Sequence, residues 1–221
     1  MLIITGMLII TSPVTGPLPH RIYVVGTVLA PRGSEGALGP ALAGGTGGVS
    51  YYTPADGQDI KVLSGQVRLS GAMLANSAGQ ADDMLIAAGQ VVITGEVATV
   101  GYRQVIIAGQ LAAPAASRDV VEPRVQVQGQ AAWYRGDDPR VFYDDTSLGP
   151  DFFRLLDHPA TLVVLGDLTI TAGVTEAMMR EKITGISVFG DATAPPEIVG
   201  MLQALTTDAF GTIRASDGPG S

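Results

Sequence analysis

The chain has 221 residues, enough for one large domain with a sizeable buried core. Hydrophobic residues make up 46% and charged residues 15%, so either much of the chain is buried or it hides surface against other copies of itself. A formal charge of −8, with eleven arginines and two lysines scattered along the chain, leaves no basic stripe for nucleic acid or an anionic membrane, and the absence of cysteine excludes disulfides and thiolate metal sites.

The opening "MLIITGMLII" is rich in β-branched residues around a central glycine, which predicts a strand. It has no basic n-region and no A-x-A-like cleavage site, so it does not read as a leader peptide. No run in the chain approaches the roughly 20 apolar residues of a membrane helix. The expectation is a cytoplasmic protein with no membrane span.

The same phrase, apolar-x-Gly-x-apolar, then recurs. Its glycine falls at Gly6, Gly26, Gly65, Gly89, Gly109, Gly129, Gly166, Gly190 and Gly211, with spacings of 20, 39, 24, 20, 20, 37, 24 and 21. The two long spacings imply one degenerate copy each, near 45–49 and 141–149. The residue after the glycine is glutamine at 66, 90, 110 and 130 and aspartate at 167 and 191. On a strand, residues two apart share a face, so the apolar-Gly-apolar row points inward and the Gln or Asp outward. One such strand cannot bury its inner face, whereas stacked copies can. The pattern predicts a mainly β protein, a single-stack β-solenoid of coils of about 20–24 residues with an outer glutamine ladder. It forms one domain over 1–221, with irregular segments at 33–57 and 133–158.

Along the chain, "GSEGALGPALAGGTGG" at 33–48 reads as a loop or a poorly formed coil. It lacks the Gly-Lys-Ser/Thr of a phosphate loop. Residues 133–158 hold six of the twelve aromatics and many charges. They read either as an excursion packing back on the core or as a recognition patch for a protein or glycan at 133–153. In the second reading Trp133, Tyr134, Phe142 and Tyr143 are anchors and Asp137, Asp138, Asp144 and Asp145 surround them. "TEAMMREK" and "PPEIVGMLQALT" read as helices, the latter with proline at its start and Ile198, Met201, Leu202 and Leu205 on one face. The C-terminal coils are therefore expected to be β/α and leucine-rich-repeat-like.

Chemistry is sparse. His20 and His158 each adjoin a proline, as solvated turn residues do. The pairs Asp82-Asp83, Asp137-Asp138 and Asp144-Asp145 read as turns, since neighbours on a strand face opposite ways. No nucleophile or metal motif is present, and neither an enzyme nor a cofactor is expected. Arg103, Arg118, Arg124, Arg135 and Arg140 are candidates for a basic face toward an acidic polymer.

The strands at 62–67, 91–97, 105–111 and 125–131 resemble those of the bactofilins, bacterial cytoskeletal proteins that polymerise end to end without nucleotide. The resemblance covers about a third of the chain and carries over no site residue. It implies a homopolymer. Terminal strands with open edges invite pairing between copies. The expected assembly residues are Leu2, Ile4, Leu8 and Ile10 at one end and Phe210 and Ile213 at the other. The reading is a self-assembling structural or scaffold protein forming filaments or sheets. The alternative is a glycan- or polymer-binding module, or a carbohydrate-active enzyme, using 133–153.

Overall fold

A computed structural model describes residues 1–42, 48–55, 57–136 and 138–216. Two compact units, Met1–Ile60 and Lys61–Ser221, are taken in turn.

In the first unit, β1 (Leu2–Ile9), β2 (Ile22–Pro31) and β3 (Gly48–Tyr52) form a parallel sheet in the order β1-β2-β3. The register equals the repeat spacing: Leu2 lies beside Ile22, Gly6 beside Gly26 and Ile9 beside Leu29. On the other side of β2, Val28 lies beside Val49, so β3 supplies a rung inside the 39-residue gap. Between them α1 (Glu35–Ala41) buries Leu38 and Ala41. Ser34, fully buried just before it, accepts the Val14 N–H at 3.0 Å.

In the second unit, β4 (Ile60–Ser70), β5 (Met84–Thr94), β6 (Gln104–Pro114) and β7 (Val125–Tyr134) form a parallel sheet in that order. Gly89, Gly109 and Gly129 lie side by side at φ +116°, +134° and +150°. A Cβ on Gly109 would run into the Gly89 carbonyl oxygen, so only glycine lets these backbones approach. Strands β5 and β6 are buried on both faces, as interior parallel strands are. On one face Ala87, Val91, Ile107 and Leu111 pack with Leu74, Val97 and Val121. Leu74 comes from α2 (Gly71–Leu74) and Val121 from α3 (Arg118–Val121).

After β7 the strands shorten. The pairs β8 (Arg140–Phe142) and β9 (Thr146–Leu148), β10 (Ala160–Val164) and β11 (Leu168–Ile170), β12 (Ile183–Val188) and β13 (Ala192–Ala194), and β14 (Thr206–Ala209) and β15 (Ile213–Ala215) are four rungs. Each rung contributes one strand to a sheet of order β14-β12-β10-β8 and one to a sheet of order β15-β13-β11-β9. The helices α4 (Pro150–Leu155), α5 (Glu176–Lys182) and α6 (Val199–Leu205) link successive rungs. Phe153, Met179 and Leu202 from these helices meet Leu162, Leu168, Ile186 and Ala192 in one core. A second core joins the long-strand sheet to the first short-strand sheet, through Val92, Ala112 and Tyr134 against Val163, Leu165 and Phe189.

These sheets correct the expected single-stack solenoid. The chain is mainly β and its strands run parallel, but they divide into four sheets of three or four strands. The repeated glycine explains the division. In the first six copies it lies inside a strand at positive φ, and the strand continues through it. Gly166, Gly190 and Gly211 instead sit in the turn between two short strands, which sends the halves to different sheets. The leucine-rich-repeat expectation is corrected for the same reason: each of the first three C-terminal rungs carries two strands followed by a helix, not one strand and a helix. The helix expected from Pro195 begins at Val199, because residues 196–198 form a turn, although Ile198 and Leu202 are buried as expected. The segment 133–158 holds the end of β7, then β8, β9 and α4.

The glutamines do form a ladder. Gln66 donates to Gln90 at 3.5 Å, Gln90 to Gln110 at 3.2 Å and Gln110 to Gln130 at 3.5 Å. It is on the outside as expected only at Gln66, which is exposed, whereas Gln90, Gln110 and Gln130 are half-buried. Gln90 also donates to the carbonyls of Tyr143 at 2.9 Å and Leu165 at 3.4 Å, so the row is partly buried against the short strands.

Candidate functional site

Self-assembly needs exposed strand edges, and β1 provides one. It is an edge strand of eight residues without a charge or a proline. Leu2 donates to the Arg21 carbonyl and Ile10 to that of Leu29, both at 2.9 Å, on the side facing β2. Alternate residues between them aim N–H and C=O groups at the open side, where no strand pairs among the described residues. Leu2 is 51% and Ile3 59% exposed. Ile4, Leu8 and Ile10 are half-buried. Ile3 is the residue that the sequence reading passed over: it lies outside the apolar-Gly-apolar row.

The C-terminal residues are placed differently. Phe210 is 39% exposed and stacks on Phe189 at 4.9 Å. Ile213 begins β15 and packs partly buried against the core of the short-strand sheets. The strands there carry charge. Asp208 in β14 accepts the Trp133 N–H at 3.2 Å, and Arg214 in β15 pairs with Asp191 at 3.9 Å.

The aromatic residues of 133–153 are drawn into packing. Tyr134 is fully buried and donates its hydroxyl to the Ile93 carbonyl at 2.7 Å. Trp133 is half-buried under the Arg118 guanidinium, 5.3 Å from the ring centre. Phe142 meets Phe152 edge-on at 6.1 Å, and Phe152 meets Phe153 at 5.3 Å. Tyr143 packs beside the core shared by the two sheets. Tyr134 should therefore behave as a core residue. Tyr134→Ala is expected to lower unfolding free energy by about 3–5 kcal/mol. Tyr134→Phe should lower it by about 1–2 kcal/mol, since the Ile93 carbonyl loses its donor. Denaturant titration checks both.

The acidic residues separate from the aromatics. Asp138, Asp144 and Asp145 are exposed, and Asp137 lies outside the described residues. Asp145 starts a ladder that the Gly-Asp pairs hinted at. Its carboxylate accepts the Asp167 N–H at 2.9 Å, Asp167 accepts the Asp191 N–H at 2.8 Å, and Asp191 accepts the Thr212 N–H at 2.8 Å and hydroxyl at 3.0 Å. These bonds tie each turn to the next. The Thr212 N–H, then its hydroxyl and then Arg214, hold the Asp191 carboxyl below its ordinary value. A depressed folded-state pKa stabilises the fold above the unfolded value, and that contribution is lost as pH falls through the folded one. Asp191→Asn is expected to flatten the loss of stability as pH falls below the ordinary carboxylate range, measured by urea unfolding across acid pH.

Of the other candidates, His20 and His158 are exposed in turns. Asp82 is exposed, but Asp83 is 3% exposed and accepts the Gln80 N–H at 2.9 Å and the Asn76 amide at 3.2 Å, closing a tight turn. The arginines fall in three places. Arg103 and Arg124 share one cavity, Arg135 and Arg140 another, and Arg118 pairs with Glu122 beside Trp133. Among the described residues no group of three ligating side chains is placed to hold a metal, and no helix is long and apolar enough to cross a membrane. Compared with known proteins, the chain matches no family model, no curated protein and no solved structure.

Proposed function

We propose that the protein is a self-assembling structural protein whose copies join through the open edge of β1. The observation that carries this is the edge strand itself, whose outer side no strand among the described residues pairs. Edge strands are ordinarily protected by charge, proline, a disrupted register or a covering segment. Strand β1 has apolar residues, exposed Leu2 and Ile3, and an unbroken register to its inner neighbour. A second copy presenting the same edge would extend the sheet and cover those side chains.

A polymer needs a second joint. The β14 and β15 edges with exposed Phe210 are the proposed partner surface. Growth would need no nucleotide, in the manner that the bactofilin-like strands imply, and would take place in the cytoplasm. The glycan-binding alternative gains less support, because Tyr134, Phe142 and Tyr143 are engaged in packing. Sedimentation velocity on the untagged protein over a hundredfold concentration range tests the proposal. Species that grow with concentration, without nucleotide or metal, are expected. A single monomeric species of 22.7 kDa throughout would refute it.

A further inference from the structure

Arg135 and Gly136, just after β7, lie by the start of two other strands, and a cavity there is lined by basic groups. In the first short-strand sheet, Ala160 lies beside Ile183 but Thr161 lies beside Gly185, so Thr184 is an extra residue in a bulge. Its hydroxyl stands 2.8 Å from that of Thr161. Gly185 leaves room above: a Cβ there would lie 4.0 Å from Cδ of Arg135. Gly136, at φ +81°, brings the turn over Thr161. The result is a cavity of about 350 Å³, with Arg135, Arg140, His158, Thr161 and Thr184 in its wall. That is the low end of the small-molecule range of roughly 300–1,000 Å³.

Asp138 and Asp157 line the same cavity. Even so, neither Arg135 nor Arg140 has a carboxylate within ion-pair distance among the described residues. Two guanidinium groups with no carboxylate partner among the described residues line the same cavity as two hydroxyls, on a chain whose net charge is −8. Guanidinium forks match the spacing of oxygens on phosphate, sulfate or carboxylate. The two hydroxyls are bonded to each other, so the pair supplies one further O–H donor. The two aspartates add negative charge beside the guanidiniums, where they suit hydroxyl or ammonium donors of a ligand and oppose a bulky polyanion.

We propose that this cavity binds one oxyanion, free or carried on a small hydroxylated molecule. It is separate from the assembly edge of β1 and does not depend on it. Calorimetry with inorganic phosphate, glucose 6-phosphate and glucuronate, each titrated into the full chain, tests it. Saturable binding of at least one probe is expected, weakened roughly tenfold or more in Arg135→Gln and in Arg140→Gln. Arg180→Gln, on α5, should leave it unchanged. Both cavity arginines are exposed and have no ion-pair partner among the described residues, so the variants should melt with the wild type. Binding of phosphate as tight as that of the sugars would assign the site to a free anion, and binding of a sugar alone would assign it to a carried one. No saturable binding of any probe at about 10 mM, or binding unchanged in both cavity variants, would overturn the proposal.

Discussion

Gly109→Ala is expected to destabilise the second unit by roughly 2–6 kcal/mol, against about 1–3 kcal/mol for Gly65→Ala. Both glycines lie in the same sheet at positive φ, +134° and +90°, so both variants carry the strain of an alanine in a sparsely populated conformation. They differ in what lies beneath. At Gly109 the added methyl would strike the Gly89 carbonyl, whereas at Gly65 it meets nothing within 4 Å among the described residues. The backbone carbonyl cannot rotate away without breaking the pairing of β5 with β6, so the collision adds to the strain. Gly129, which would strike the Gly109 carbonyl, should behave like Gly109. Denaturant unfolding of the three variants measures the differences. Equal losses at positions 65 and 109 would mean that the glycines do not stack.

The second large effect concerns assembly. Ile3→Lys is expected to abolish self-association while leaving the monomer folded. Ile3 is 59% exposed, so its replacement should move stability by no more than about 0.5 kcal/mol. A lysine on an edge strand opposes pairing of two copies by charge repulsion and by the cost of desolvating its ammonium. Ile213→Lys would be less informative, because Ile213 packs against the core and a lysine there would disturb the fold itself. Sedimentation of Ile3→Lys beside the wild type decides the matter. Assembly equal to the wild type would remove β1 as the joint.

Much of this architecture is written in the phrase around each glycine. The spacing of 20 between Gly6 and Gly26, and between Gly89, Gly109 and Gly129, is the observed strand register. The degenerate copy near 141–149 is the rung of β8 and β9, paired to β10 and β11. What the phrase hides is the bend. Gln66, Gln90, Gln110 and Gln130 follow glycines inside strands, and Asp167 and Asp191 follow glycines at turns. That switch is visible in the sequence. Its meaning depends on the carboxylate of one rung reaching the N–H of the next, which no single rung reveals.

The candidate sites were legible unevenly for a related reason. Local composition marks Trp133, Tyr134, Phe142 and Tyr143 as a cluster, but burial is decided by distant strands such as β5, whose Ile93 carbonyl takes the Tyr134 hydroxyl. Arg135 and Arg140 are close in sequence, whereas Thr161 and Thr184 join them only through a bulge in the sheet. The open edge of β1 is readable as an uncharged strand, yet the exposure of Ile3 rests on which face the sheet covers.

Hydrogen exchange of the peptide spanning residues 2–9, compared at low and high protein concentration, tests the β1 joint most directly. Outward N–H groups of an open edge exchange quickly, and pairing with a second copy protects them. Self-assembly through β1 predicts protection in this peptide that rises with concentration and is absent in Ile3→Lys. Exchange that is the same at both concentrations, in a sample shown to contain assemblies, would contradict it.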